Sequence, residues 1–394
     1  MNFLFCSRTK SPQSFIMVMN SFVEYWESSG SDPYLVILLV FLFLCHIILL
    51  LYRGSVVWSK KTFTSKSREE GVSVILTCAN KGELLKQNLE AFLNQDYPDY
   101  EVIVVDECSE DATQEVLSDL QKQYAHLKTT RIFPDTKFRS TKKLAINIGI
   151  LAARNDILLF TDIKCQPESK HWVREMQSAF DDRTAVVIGY ATDPVEKNIL
   201  GIRRYFRFLW FWKTLLLVRC RMYVSGNGYN MGYRKKYYLE KRGFTGNTQE
   251  YIGFDSQMVK VLSLKGEVRV VKQKDARMRI EDESRKAWKD DCSYHYADKR
   301  RWPWKARLWS NVGFIVEGGL YLLAFYFIIS TILWKYAAIL TILTFLMDLI
   351  VINTCLKHLG QRKLFITSLT VNAFGFIYKW YYCMYSIFSS KKWR

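Results

Sequence analysis

Three acidic positions stand where a carboxylate could meet a ligand. Asp106 ends the apolar run EVIVVD and is followed by Glu107, Asp162 ends DILLFTD, and Asp255 lies in EYIGFDSQMV. A carboxylate can accept hydrogen bonds from a base N–H or a ribose hydroxyl, ligate a hard divalent cation, or take a proton from an attacking hydroxyl. Singly, each is as well read as the N-cap of a following helix. Their order and strand context carry the signal, because open α/β sheets bind ligands beyond the carboxyl ends of their strands. Basic residues accompany them: Lys142 and Lys143, Lys164, and Arg301-Trp302 within KRRWPWKAR. Arginine pairs bidentately with phosphate, and tryptophan packs on a sugar ring. The same run also fits a basic-aromatic belt beside a membrane, and the paired lysines fit a solvated face.

The elements that would position these residues alternate. VSVILT and EVIVVD are β-branched runs of the kind buried in a parallel sheet. Between them, residues 81–94 carry Leu84, Leu85, Leu89, Phe92 and Leu93 at helical spacing. DILLFTD supplies a third strand after a helical segment at 142–154. This β-α-β-α-β order predicts a soluble α/β domain over residues 71–309 with a mostly parallel sheet.

Both ends of the chain are apolar. Residues 34–52, YLVILLVFLFLCHIILLLY, hold no formal charge and match the thickness of a bilayer. Residues 312–334 and 336–356 predict two more spans, with Glu317 and Asp348 facing other helices or the polar boundary. Residues 364–389 are apolar and aromatic, and read as a further span or as a helix in the interface. Arg53, Lys60, Lys61, Lys66 and Arg68 follow the first segment, whereas residues 1–33 mix both signs. The positive-inside rule therefore puts 1–33 outside and the α/β domain in the cytoplasm. The net charge of +18 is read the same way, since its Lys and Arg flank apolar segments. A nucleic-acid-binding membrane protein would rest on charge alone. Nine scattered cysteines without a CxxC pair argue against a zinc site or a disulfide framework. Residues 199–218, ILGIRRYFRFLWFWKTLLLV, predict an amphipathic helix at the bilayer surface; the alternative is a core helix whose arginines reach outward.

Taken together, these stretches resemble a family 2 glycosyltransferase with a GT-A fold. VSVILTCANKGELLKQNLEAFLNQDYPDYEVIVVDECSEDAT resembles the family's first nucleotide-binding unit. KKLAINIGILAARNDILLFTDIKCQP resembles the approach to its acidic motif, and SGNGYNMGYRKKYYLEKRGF, with Gly226 and Asn230, its acceptor-side loop. YIGFDSQMV resembles the general-base motif and DKRRW the Q-x-x-R-W motif. The arrangement of membrane segments resembles bacterial cell-envelope members, particularly those of Bacteroidetes.

The resemblance implies a nucleotide-sugar donor, with UDP favoured, bound by Asp106, Lys143, Lys164, Arg301 and Trp302. It implies Asp255 as the base that deprotonates an acceptor hydroxyl, giving inversion, and a lipid-linked or glycan acceptor at the inner membrane. It implies a divalent cation, Mg²⁺ or Mn²⁺, on a D-x-D motif whose first acid is Asp162. Here Lys164 stands at the second position, Phe254 precedes the base, and Asp298 replaces the Gln. A protonated lysine repels a cation. Three accounts follow: Lys164 neutralises the diphosphate itself, Asp162 and the donor phosphates hold the metal alone, or activity is lost. The last corresponds to a silent member that binds a nucleotide sugar or a partner transferase. A processive synthase is disfavoured, because three or four segments are few to enclose a channel.

Overall fold

The computed structural model describes residues 33–59, 69–133, 137, 140–194, 201–250, 252–282, 284–330 and 333–389. Residues 1–32 of the expected outer segment at 1–33, and the basic stretch at 60–68, lie outside them. The chain divides into two compact units, residues 33–52 with 311–351, and residues 53–310 with 352–389.

The larger unit holds a seven-stranded sheet in the order β3-β2-β1-β4-β8-β6-β9. Its strands are β1 (Val72–Cys78), β2 (Tyr100–Glu107), β3 (Leu127–Ile132), β4 (Ile157–Asp162), β6 (Thr184–Ile188), β8 (Met231–Arg234) and β9 (Glu267–Val270). The first four neighbours run parallel, β8 is antiparallel to β4 and β6, and β6 pairs parallel with β9. A small sheet joins β5 (Cys165–Pro167), β10 (Met278–Ile280) and β7 (Ala191–Thr192).

The strands read as unbroken apolar runs because both faces of the sheet are covered. On one side Val72, Val74 and Leu76 of β1 pack with Leu85, Leu89 and Phe92 of α2 (Gly82–Leu93). On the other lies α4 (Thr141–Ala152), so close that a Cβ on Gly149 would come within 2.7 Å of Ile75. Helix α3 (Thr113–Gln123) leads into β3, and α5 (Trp172–Ser178) buries Trp172 against Phe92.

Helix α6 (Ile202–Arg219) departs from the expectation of a surface helix. Along its 18 residues only Arg219 is exposed, and Arg204, Arg207, Phe206 and Phe208 are buried. Two later helices of the same unit explain this: α9 (Arg285–Arg300) and α12 (Phe365–Ser389) lay Trp288, Cys292 and Tyr382 against Phe206. The Trp288 indole donates to the Tyr378 hydroxyl at 2.7 Å, and the Tyr205 hydroxyl donates to Asn372 at 3.1 Å. Short helices α7 (Lys235–Glu240) and α8 (Ser256–Leu262) follow β8 and precede β9.

The smaller unit is formed by most of α1 (Pro33–Trp58) with parts of α10 (Trp304–Ser330) and α11 (Trp334–His358). Leu39, Leu320, Ala324, Phe327 and Ala337 make its core. His46 of α1 and Asp348 of α11 pair at 3.2 Å, so each polar group of these apolar helices meets the other. Helices α1, α10 and α11 are long and apolar enough to cross a membrane. Helix α12 is not among them; its outward face carries exposed Phe365, Ile366, Phe374, Trp380 and Phe388.

Candidate active site

Strand β1 lies between β2 and β4, pairing Cys78 with Asp106 and Thr77 with Asp162. The pairing brings two acids more than fifty residues apart to one level at the carboxyl edge of the sheet. Asp106 is fully buried there. It accepts from the Ser109 amide at 3.0 Å and from the Gln114 side chain, and Arg131 lies at 3.6 Å. The loop after β1 is tied to the loop after β2 by two bonds of 2.8 Å, from the Asn80 amide to the Ser109 hydroxyl and from the Glu110 amide to the Asn80 side chain.

Asp162 meets lysines. The Lys142 ammonium donates to its carboxylate at 2.5 Å, and the Lys164 backbone amide donates at 3.2 Å. Burial works to raise the Asp162 pKa, but Lys142 and Lys164 together hold it below the usual carboxylate value. The Lys164 ammonium turns to Asp291 of α9 at 3.2 Å and lies 4.6 Å from the Tyr229 ring centre. Asp291 also accepts from Arg207 of α6 and from the Tyr229 hydroxyl, and Arg207 pairs with Asp193 at 3.3 Å. Burial opposes the charge on Asp291, yet Arg207 and Lys164 bring its pKa down to about 2.

Lys143 faces elsewhere. Its ammonium is buried and donates to the carbonyls of Asn247 and Glu250 at 2.9 and 2.5 Å, and burial lowers its pKa to about 8. Of the adjacent lysines it is Lys142 that meets the acidic motif. Lys142 precedes Lys143 by one residue in the first turn of α4, and that offset of about 100° sends the two side chains apart.

A divalent cation is poorly served by these residues. Hard cations take several oxygen ligands. The D-x-D position offers the single carboxylate of Asp162, already engaged by an ammonium and an amide. Among the described residues no three His, Cys, Asp or Glu groups cluster as a metal set.

Asp255 caps α8. Its carboxylate accepts from the Ser256 amide at 2.7 Å, the Tyr294 hydroxyl at 2.5 Å and the Gly228 amide at 3.1 Å. Gly226 lies so close that an added Cβ would stand 2.7 Å from the Asp255 carbonyl carbon. Asn230 is fully buried and ties the loop to the segments entering β7 and β10 by donating to the carbonyls of Tyr190 and Ala276 at 2.9 and 2.8 Å. Asp298 accepts from the Ser256 hydroxyl at 2.5 Å and from the Trp302 indole at 3.0 Å. Burial, then the nearby charge of Asp255, pushes the Asp298 pKa up to about 7. Trp302 is itself buried among Leu217, Val224 and Ala306. Arg301 pairs with Glu250 at the surface. Phe254 packs against Tyr294 on one side, and the Lys142 ammonium lies 5.0 Å from its ring centre on the other. A small cavity between α4 and the sheet is lined by Ile75, Thr77, Lys142, Phe160, Thr161 and Phe254.

Residues 73–243 match the model of the family described as glycosyl transferase family 2. The chain carries a family 2 glycosyltransferase domain. That match contains Asp106, Asp162, Lys164, Gly226 and Asn230 and stops short of Asp255, Asp298 and Arg301. The poly-β-1,6-N-acetyl-D-glucosamine synthase of Staphylococcus epidermidis is 30% identical over 93 residues, 24% of this chain and 21% of its own length. A dolichyl N-acetyl-α-D-glucosaminyl phosphate 3-β-D-2,3-diacetamido-2,3-dideoxy-β-D-glucuronosyltransferase of Methanococcus voltae is 24% identical over 195 residues, 48% of this chain and 54% of its own length. The chain thus aligns with about a fifth and about half of these relatives. The mannosyltransferase PcManGT of Pyrobaculum calidifontis, solved with GDP-Man and Mn²⁺, superposes with a TM-score of 0.55 at 16% identity, covering 86% of this chain and 99% of that one. The fold is therefore GT-A-like, with a mostly parallel central sheet.

Asp291, Asp193 and Tyr294 escaped the sequence reading, and Arg207 entered it only as one of the arginines of residues 199–218. None lies in a stretch with a strand-end or motif signal, and α6 and α9 meet the sheet only through tertiary packing.

Proposed function

We propose that the chain is a membrane-bound inverting glycosyltransferase that moves a sugar from a nucleoside-diphosphate donor to a cell-envelope acceptor. The observation that carries this reading is the setting of Asp255. Three donors orient its carboxylate, and Gly226 packs so closely on the Asp255 backbone that a side chain there would collide. An oriented carboxylate in that position suits a general base. The acceptor hydroxyl gives its proton to Asp255 as its oxygen attacks the anomeric carbon; the bond from that carbon to the phosphate oxygen breaks, and the nucleoside diphosphate leaves. A single displacement inverts the anomeric centre.

Asp106, at the end of β2, takes the nucleoside side, as a carboxylate suits imide and hydroxyl donors. Of the relatives, one is named for a lipid-linked acceptor and one for a glycan polymer. Both support an envelope acceptor, and the three apolar helices support membrane anchoring. In this reading the larger unit faces the cytoplasm, where nucleotide sugars are available.

Detergent-purified protein supplied with UDP- or GDP-sugars and a membrane lipid extract should release nucleoside diphosphate. Asp255→Asn should lower release at least about 100-fold, in line with the loss of a general base, while donor binding persists. Equal release by the variant would remove Asp255 from the base role. Silence of a folded, donor-binding wild type would leave a binding protein in its place.

A further inference from the structure

We propose that two lysines, Lys142 and Lys164, take the place of the divalent cation at the acidic motif and hold the donor diphosphate directly. The inference rests on the donor-binding reading above and concerns what meets the phosphates.

One ammonium and one amide reach Asp162: Lys142 donates from its side chain, and Lys164 donates its backbone amide while its ammonium turns to Asp291. Lys142 reaches it from the first turn of α4, and Lys164 arises two residues after it in the turn from β4 to β5. The Lys142 ammonium lies 2.5 Å from the carboxylate, where an acid-bound cation would be. Each ammonium has a carboxylate partner, Asp162 for Lys142 and Asp291 for Lys164.

An ammonium has three N–H donors. The described carboxylate contacts take one on each lysine, Asp162 for Lys142 and Asp291 for Lys164. Each ammonium also lies over an aromatic ring, Phe254 at 5.0 Å and Tyr229 at 4.6 Å. Such a group can bridge a protein carboxylate and a phosphate oxygen, the role a metal has on a two-acid motif. The same arrangement disfavours a metal. A cation bound at Asp162 would displace Lys142 from its carboxylate and stand beside the charge of Lys164. Asp291, Arg207 and Tyr229 keep Lys164 in place, so the second position is filled by a braced cation.

Three measurements on the full-length protein in detergent test this. Calorimetric titration with UDP, GDP and their sugar conjugates should give the same Kd within about twofold in EDTA and in Mn²⁺. Electron paramagnetic resonance should show wild-type protein leaving Mn²⁺ free without nucleotide, and with nucleotide adding no bound Mn²⁺ beyond what the nucleotide alone chelates. Lys142→Met should weaken nucleotide binding at least tenfold, with its melting temperature monitored to confirm folding. Lys164→Asp, which restores a second acid, should gain a bound-Mn²⁺ signal. Nucleotide binding by wild type only with Mn²⁺, or a stoichiometric Mn²⁺ signal from it, would overturn the lysine assignment and leave donor binding intact. Absence of nucleotide binding by folded protein in either condition would take down the donor reading and this inference with it.

Discussion

Asp298 stands four residues before Trp302 and accepts its indole N–H, while on its other oxygen it accepts from Ser256. Ser256 in turn donates its amide to Asp255. The two acids thus share one serine, and a charge on one disfavours a charge on the other. The pKa of Asp298 rises from an ordinary 3.8 to about 7, through burial first and Asp255 second. The sign of the stability effect follows. Between those two values the folded chain keeps a proton that the unfolded chain gives up, so stability falls as pH rises through that window. In Asp298→Asn the titration is gone. Thermal melts at pH 5 and pH 8 should show a smaller loss of melting temperature in the variant than in wild type. Equal pH dependence of the two melts would mean that Asp298 carries no raised pKa.

At the scale of elements, the site is assembled by helices that the sheet does not need. Helix α6 brings Arg207, α9 brings Asp291 and Tyr294, and the loop before β8 brings Tyr229. Arg207 is buried between two acids, Asp193 and Asp291. Removing one partner of a buried charge network leaves the others uncompensated, at a cost of about 3–5 kcal/mol. Arg207→Leu should therefore lower stability by about that amount, read from denaturant unfolding of the detergent-solubilised protein. The variant should also slacken Lys164, whose brace is the same Asp291. A loss below about 1 kcal/mol would mean that the network is solvated enough to reorganise.

At the scale of the molecule, three apolar helices and an acid-edged sheet belong to two compact units. The membrane reading predicts that alkaline or high-salt washing leaves the chain in the membrane fraction. The basic flank at 53–68 predicts that protease reaches the sheet-bearing unit in inverted vesicles and not in sealed right-side-out ones. Cleavage in right-side-out vesicles alone would reverse the orientation.

Three strands, the acids at their ends and the apolar ends of the chain were legible in the amino-acid order, whereas α3 and β3, between EVIVVD and DILLFTD, were not, so the expected third strand is β4. The legible features depend on local periodicity and on the rule that parallel strands are apolar on both faces. The departures at Lys164, Phe254 and Asp298 were equally visible as letters. What those letters do was decided only by folding. Whether Lys142 or Lys143 meets Asp162 depends on the angular offset of neighbours on α4. Whether residues 199–218 lie on a bilayer or in a core depends on α9 and α12, which return from later in the chain to cover α6. Burial by a distant segment has no local signature, because amphipathicity marks a face to be covered without saying what covers it. For the same reason Asp291, more than a hundred residues from Lys164, became its partner only in three dimensions.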